Sequence, residues 1–240
     1  QLGKPKSYDY DAEGNLIAYT NRNGETITYA YDEAGQLIEK RLPDDDITFY
    51  AYDLLGNLEY AANAASVLEF AYDLPGRLIE ATTTYPVELR PGLSYDLTRT
   101  LLYTYDRVGN RLTMTDDAGV TRYGYDDLHR LASLTNPQGR TWTFVYDEVG
   151  RRTELRVPNG ITTRYTYDAV GQLRSISHDR PDGTAVGRFL YEEYDELGNV
   201  TARTHEVEGE AVEEEFAYDS VQRLVQSASS TAFGDATPDI

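Results

Sequence analysis

The sequence predicts an all-β protein of tandem β-hairpins that form one long, coiled antiparallel sheet. The first observation is that Tyr-Asp recurs ten times, most often at a spacing of 20 or 21 residues. The second is that large and small side chains alternate with a period of two before each Tyr, as in strands with two distinct faces. The third is that turn residues, Gly above all, separate the alternating segments. Hairpins of this size become stable by stacking on their neighbours.

One copy, residues 26–42, illustrates the reading of each element. Ile27, Tyr29 and Tyr31 alternate with smaller residues, which predicts the first strand of a hairpin. Glu33-Ala34-Gly35 then reverses the chain, because a three-residue hairpin loop needs a positive φ near its end and Gly adopts it without strain. Residues 36–41 return as the second strand. A second turn, rich in Pro and Asp, leads to the next copy.

The recurrent residues of the motif receive structural roles in this interpretation. The Tyr packs against neighbouring copies, the Asp carboxylate accepts backbone N–H groups of the turn, and the Gly permits the turn. His129 stands where most copies have Gly, and we expect it to adopt a positive φ. The set comprises Tyr10, Asp11, Gly14, Tyr31, Asp32, Gly35, Tyr52, Asp53, Gly56, Tyr72, Asp73, Gly76, Tyr105, Asp106, Gly109, Tyr125, Asp126, Tyr146, Asp147, Gly150, Tyr167, Asp168, Gly171, Tyr194, Asp195, Gly198, Tyr218 and Asp219.

Composition narrows the function classes. The 240 residues carry a net charge of −19, which disfavours binding to nucleic acid or to anionic membranes. There is no Cys, so disulfides and thiolate metal sites are excluded. No apolar stretch is long enough to span a bilayer, and we expect no membrane insertion. The 21 Tyr residues can supply the apolar surface that the low aliphatic content does not, so we expect a folded, tyrosine-rich protein.

The motif resembles that of the YD-repeat, or RHS-repeat, proteins. Tyr105-Asp106-Arg107-Val108-Gly109-Asn110 is a good copy of it, and the resemblance extends from about Tyr8 to Val225. It implies a spiral of β-hairpins that forms part of a shell around a toxic C-terminal domain, as in bacterial toxin components and, in related form, in animal teneurins. It also implies a bacterial protein that is secreted or on the cell surface. The Asp-Pro-rich self-cleavage motif of toxin-type members has no counterpart here, so we expect a piece of shell without that core or a toxin.

Three segments define the expected organisation. Residues 1–226 form an array of about ten hairpins, and residues 227–240 form a polar C-terminal tail. Residues 81–100 interrupt the period as an insertion, which is either a long loop or an atypical hairpin and could be a contact site. In residues 189–194 the aromatic side chains lie three positions apart rather than two, which predicts a β-bulge.

No residue pattern indicates catalysis or a cofactor. The three histidines, His129, His178 and His205, share no metal-ligand spacing, and no nucleophile elbow or phosphate-binding loop is present. Residues 9–14 imitate the start of a calcium loop, but Thr20 stands where the loop requires Glu. We therefore expect no enzyme, no cofactor and no metal site.

Three functions remain open at this stage. The first is a non-enzymatic scaffold, a shell segment that encloses or displays a toxin or other effector domain. Its partners would be neighbouring repeats or that effector. The second is a carbohydrate-binding or cell-surface interaction module that uses exposed tyrosines. The third is a glycosidase or lyase acting in an acidic groove. We expect a monomer, because Lys4, Pro5 and Lys6 at one end and Glu213–Glu215 at the other discourage edge pairing.

Overall fold

A computed structural model describes residues 5–207 and 210–231, and it confirms the expected all-β hairpin-repeat fold. Twenty strands follow one another in the described part of the chain. In the strand pairings of each unit the two strands are consecutive in sequence and antiparallel, as in a meander. The chain divides into two compact units, residues 1–122 and 123–240.

The first unit contains ten strands and the start of an eleventh. Each pairs with the strand that follows it in sequence. Their bounds are β1 Ser7–Tyr10, β2 Leu16–Thr20, β3 Thr26–Tyr31, β4 Leu37–Arg41, β5 Ile47–Tyr52, β6 Leu58–Ala62, β7 Val67–Tyr72, β8 Leu78–Arg90, β9 Leu93–Tyr105, β10 Arg111–Asp116 and β11 Gly119–Tyr125.

The second unit continues the same alternation. From β12 to β20 each strand again pairs with its successor. Their bounds are β12 Leu131–Thr135, β13 Thr141–Tyr146, β14 Arg152–Arg156, β15 Thr162–Tyr167, β16 Leu173–Asp179, β17 Ala185–Tyr194, β18 Val200–Val207, β19 Glu210–Tyr218 and β20 Leu224–Thr231.

The sheet of each unit has almost no conventional core. Among the described residues only Ala61, Thr163, Gly187 and Thr204 are buried. In β3 the Ile and Tyr side chains are half-buried, whereas the alternating Thr and Ala residues are exposed. The ring-bearing face therefore shelters its own side chains through contacts between adjacent strands. The other face carries small and polar residues together with exposed apolar ones such as Phe49 and Leu102. Cross-strand hydroxyl pairs lie along it, for example Thr104 with Thr113 at 2.6 Å.

Two kinds of turn join the strands and share one backbone geometry. In the Tyr-Asp turns, which follow the motif Tyr, the Asp53 N–H donates to the Asn57 carbonyl at 2.8 Å and the Gly56 N–H donates to the Asp53 carbonyl at 3.0 Å. Five of the opposite turns, at the other ends of the hairpins, repeat this pattern with other residues in the place of Asp; they begin at Asn21, Leu42, Asn136, Val157 and Arg180. In the turns with this pattern the fourth residue of the loop has a positive φ, which is 78° at Gly35 and, as expected, 61° at His129.

The irregular segments are also strands. The insertion 81–100 lies within the 13-residue strands β8 and β9, which turn at Pro91-Gly92, so this segment is a long hairpin rather than a loop. The bulge expected in residues 189–194 is confirmed, because the pairing of β17 with β18 shifts register between Tyr191 and Tyr194.

The C-terminal boundary corrects the sequence analysis. Residues 227–231 were assigned to a polar tail, but they continue β20, and Ser227 pairs with Phe216. Polarity does not prevent pairing here, because the backbone of β19 supplies the ladder whatever the side chains are. The rest of that tail lies outside the described residues, as does Lys4 of the first edge.

Substitution of Gly35 by Val should destabilise the chain by about 1–3 kcal/mol, because a β-branched residue is strained at positive φ. No heavy atom lies within 4 Å of the position that a Cβ would take, so the loss would come from the backbone alone. Thermal unfolding followed by circular dichroism measures it. Gly35→Asn is the matched control and should cost less, because His129 and Gln222 adopt this conformation at the equivalent positions. Equal melting temperatures for Gly35→Val and the unaltered chain would contradict the turn assignment.

Candidate functional site

The carboxylate of the motif Asp closes its own turn. In the turn at Asp53, Oδ1 accepts the N–H groups of Leu55 at 2.8 Å and Asn57 at 2.9 Å, and Oδ2 accepts the Asn57 side-chain amide at 2.9 Å. One or more of these bonds recurs at Asp11, Asp32, Asp73, Asp106, Asp126, Asp147, Asp168, Asp195 and Asp219. The carboxylate thereby satisfies N–H groups that the strand ladder leaves free.

These hydrogen bonds stabilise the ionised form of the Asp. The side chain four positions later donates to the carboxylate and holds the pKa of Asp53, Asp73 and Asp195 below the ordinary value. The donors are Asn57, Arg77 and Asn199. The neighbouring tyrosines shift in the opposite sense, since burial and then the charge of Asp53 raise the pKa of Tyr72. Its hydroxyl therefore keeps its proton as a hydrogen-bond donor.

In seven repeats the motif Tyr joins the repeat to the one before it. The Tyr31 hydroxyl donates to the Leu16 carbonyl at 2.9 Å, and Leu16 is the sixth residue after the preceding motif Tyr. We call this contact the inter-repeat joint. It recurs from Tyr52 to Leu37, Tyr72 to Leu58, Tyr105 to Leu78, Tyr146 to Leu131, Tyr167 to Arg152 and Tyr194 to Leu173.

An arginine reinforces three of these joints. Arg130, the fifth residue after Tyr125, donates from Nε to Asp126 Oδ2 at 2.7 Å and from Nη1 to the Asp147 carbonyl of the next repeat at 3.0 Å. Its guanidinium carbon also lies 4.7 Å from the centre of the Tyr146 ring, which is the range of a cation–π contact. Arg77 and Arg151 make the same set of contacts with the repeats that follow them. We call these three the Arg joints.

The sequence contained a signal for this contact that the sequence analysis did not use. The fifth residue after the motif Tyr is Asn, Gln or Arg in all ten copies. Each of these residues can donate a side-chain hydrogen bond to the Asp carboxylate, and only Arg is long enough to do so and also reach the next repeat. The joints made by the Tyr hydroxyl had no signal within a single copy, because their acceptor lies in another repeat.

The aromatic rings do not form an exposed row. In the described part of the chain only Tyr8, Tyr10, Phe49 and Tyr95 are exposed among the aromatic residues. The other nine motif rings are half-buried, and seven of their hydroxyls donate in joints. This arrangement does not support the carbohydrate-binding alternative, which requires rings open for stacking on a sugar.

The histidines lie in separate surroundings. His129 occupies a turn, and His178 Nδ1 lies 2.9 Å from the Thr163 hydroxyl. His205 Nδ1 lies 3.1 Å from Glu214 Oε2, an oxygen that also accepts two bonds from Arg203. The Arg203 bonds and then the His205 contact lower the pKa of Glu214. This group ties β18 to β19.

Neither a metal cluster nor a membrane-spanning helix occurs in residues 5–207 and 210–231. A groove of about 850 Å³ lies in the first unit between the turns at Asp11 and Asp32. Asp11 and Asp32 each accept an N–H group of their own turn through Oδ1, and Glu13 and Glu33 also line the groove. Nothing marks out one pair of these carboxylates as the acid and base of a glycosidase.

Comparison with known proteins gives a family match over part of the chain and a shared fold. The RHS-repeat family model matches residues 10–47, 105–141 and 125–162. No curated protein sequence matches the chain. Among solved structures, the TcdB2–TccC3 complex without its hypervariable C-terminal region superposes with a TM-score of 0.79 at 20% identity, over 94% of this chain and 13% of that one.

A second similar structure is the Tc holotoxin pore of Photorhabdus luminescens, with a TM-score of 0.74 at 18% identity over 96% of this chain and 15% of that one. The chain thus spans about one seventh of the length of these structures. The segments that match the family model contain the Tyr-Asp turns that form joints. The superposition covers nearly all the strands. The chain thus resembles the RHS-repeat, or YD-repeat, family in residues 10–47 and 105–162, and it shares the fold of these structures.

Proposed function

We propose that this chain is a non-enzymatic wall segment of a larger, secreted bacterial protein, in which it encloses or displays a toxin or other effector domain. One observation carries the proposal: all ten motif Asp carboxylates are engaged within their own turns, and seven of the ten motif Tyr hydroxyls are engaged in a joint to the preceding repeat. The motif Asp closes the turn, and the motif Tyr reaches the preceding repeat. Residues with these hydrogen bonds hold successive hairpins together in a continuous wall. They do not form a recurrent set of free groups that could act in catalysis.

The surroundings of the joints support the same role. A one-layer sheet with few buried side chains is a poor place to exclude water from a reaction, which catalysis by acid–base groups usually requires. It is a suitable material for a partition. The similar structures are Tc toxin complexes, which accords with a wall that surrounds an effector.

Limited proteolysis of the parent protein tests enclosure. The effector domain should resist protease in the parent and be cut rapidly when expressed alone. Variants that weaken the wall, such as Gly35→Val, should speed its cleavage. An effector that is cut equally fast in both settings would contradict enclosure, and turnover of a polysaccharide by the chain itself would contradict the non-enzymatic role.

Removal of one joint hydroxyl should weaken the wall locally. Tyr146→Phe leaves the ring under Arg130 but deletes the bond to the Leu131 carbonyl, and we expect a loss of about 1 kcal/mol in the free energy of unfolding. The single Trp, Trp142, lies in the same strand β13, so its fluorescence during urea denaturation reports this joint. Tyr95→Phe, at an exposed ring, is the control and should change stability by less than about 0.5 kcal/mol. An equally large loss in the free energy of unfolding for Tyr95→Phe would show that the effect of Tyr146→Phe does not come from the joint.

Acid should destabilise the chain once the turn carboxylates take up protons. Their folded pKa values lie below the unfolded value of about 3.9, so their contribution is complete above that pH and is lost as the pH falls through the folded values. As the pH falls from about 7 toward the isoelectric point of about 4.4, the net charge of −19 becomes smaller in magnitude, and the repulsion between like charges weakens. Urea denaturation should therefore show stability that holds or rises from pH about 7 to 4.5 and falls below about 4. Stability that still rises at pH about 3 would contradict this account.

A further inference from the structure

The third loop residue of each Tyr-Asp turn in the second unit is aliphatic and exposed. The exposed fractions lie between 64% and 81%, and the residues are Leu128, Val149, Val170, Leu197 and Val221. Each is fixed in the same way, because its backbone N–H donates to Oδ1 of the motif Asp at 2.9–3.1 Å. We call these five residues the aliphatic rim. Loops of one geometry therefore hold them at equivalent places along one edge of the hairpins.

The backbone of the turn does not require an aliphatic residue at this position. Three opposite turns of the same unit have the same hydrogen-bond pattern and a positive φ at the fourth residue, and their third residues are the exposed, polar Gln138, Asn159 and Asp182. Two of these side chains accept a backbone N–H of their own loop, Asn159 from Ile161 and Asp182 from Thr184. A polar residue thus suits the loop, and the aliphatic residues are confined to the Tyr-Asp edge.

The spacing of the rim matches the repeat of an α-helix. Successive Tyr-Asp turns are two strands apart, since they join β13 to β14, β15 to β16 and β17 to β18. Strands are about 4.8 Å apart, so the rim residues recur about every 9.5 Å. Residues seven positions apart share one face of a helix and are separated by about 10.5 Å along its axis. A helix along this edge can therefore place apolar residues beside three successive turns before the twist of the sheet turns the row away.

The charge next to the rim selects the kind of helix. Three of the five rim residues directly follow an exposed carboxylate, which belongs to Asp127, Glu148 or Glu196. An apolar row bordered by carboxylates is complementary to an apolar stripe bordered by Lys and Arg. We propose that the aliphatic rim of the second unit is a docking surface for a basic amphipathic helix of a partner protein. This surface lies outside the joints, so it goes beyond the role of a wall segment.

Other occupants fit the rim less well. A second copy of the chain has the same spacing, but it brings the same carboxylates and a net charge of −19, so like charges would face each other. An anionic membrane surface is repelled for the same reason. A polyproline II segment repeats at about 9.3 Å, but such segments dock in grooves lined by aromatic residues, whereas the rim consists of Leu and Val.

A designed helical peptide is a direct probe of the rim. It has about three heptads, with Leu at two positions of each heptad and Lys and Ala elsewhere, and circular dichroism verifies that it is helical. Fluorescence anisotropy of the labelled peptide against the full chain, at an ionic strength of about 0.15 M, should show saturable binding with a Kd below about 100 μM. A peptide of the same composition with Leu distributed around the helix should bind at least about tenfold more weakly.

Substitutions in the rim separate docking from general attraction of a cation. Val149→Thr combined with Val170→Thr keeps the shape of both side chains and lowers their hydrophobicity, and it should weaken binding about tenfold. Val145→Thr is the matched control, because Val145 is an exposed valine of the same unit that lies in β13 and not in the rim. It should leave the affinity unchanged, and equal melting temperatures of the variants verify that each is folded.

Several results would overturn the proposal. They are the absence of saturable binding, equal affinity for the two peptides, and equal effects of the rim substitutions and Val145→Thr on the Kd. Self-association of the chain in sedimentation, abolished by the rim substitutions, would assign the rim to a second copy and would overturn the proposal too.

Discussion

The hydrogen bond from a motif Tyr hydroxyl to a carbonyl of the preceding repeat is the contact on which the rest of the sheet depends. A one-layer sheet cannot bury a two-sided core, so its strands need other lateral contacts beside the backbone ladder. Tyrosine supplies two of them with one side chain, because its ring covers apolar surface and its hydroxyl ends on a defined acceptor. Since that acceptor is always the sixth residue after the previous Tyr, the bond also fixes the offset between successive hairpins.

The residue five positions after the motif Tyr determines how strongly a repeat is joined to the next one. Asn57 and Asn199 bond the carboxylate of their own turn, whereas Arg130 bonds its own turn and the next repeat as well. The stability of a repeat array is close to a sum of terms for single repeats and for their interfaces. A chain that mixes Asn, Gln and Arg at this position therefore alternates stronger and weaker interfaces, at places that its sequence shows directly.

The strands, the turns, the positive φ of His129 and the bulge near Tyr191 followed from local patterns, because each depends on a few adjacent residues. The joints did not, since the period of one hairpin says nothing about its lateral offset from the next. The insertion was ambiguous because Pro86 argues against a strand. Its position explains the exception: β8 pairs with β7 only up to Thr84, so Pro86 lies where the strand has a neighbour on one side alone.

The long β8–β9 hairpin shows how separate the two ends of a repeat are. Arg77 still reaches the Asp106 carbonyl although the two residues are 29 positions apart in sequence, against 17 positions for Arg130 and Asp147. The joints all sit at the Tyr-Asp turns, and the extra length of β8 and β9 is taken up at Pro91-Gly92. The joints at the Tyr-Asp turns thus do not depend on the length of the far ends, although those ends make contacts of their own, such as that of the Asn63 amide with Asp46 at 3.2 Å. The far ends are the places where evolution, or an engineer, can insert new segments while every Tyr-Asp joint stays intact.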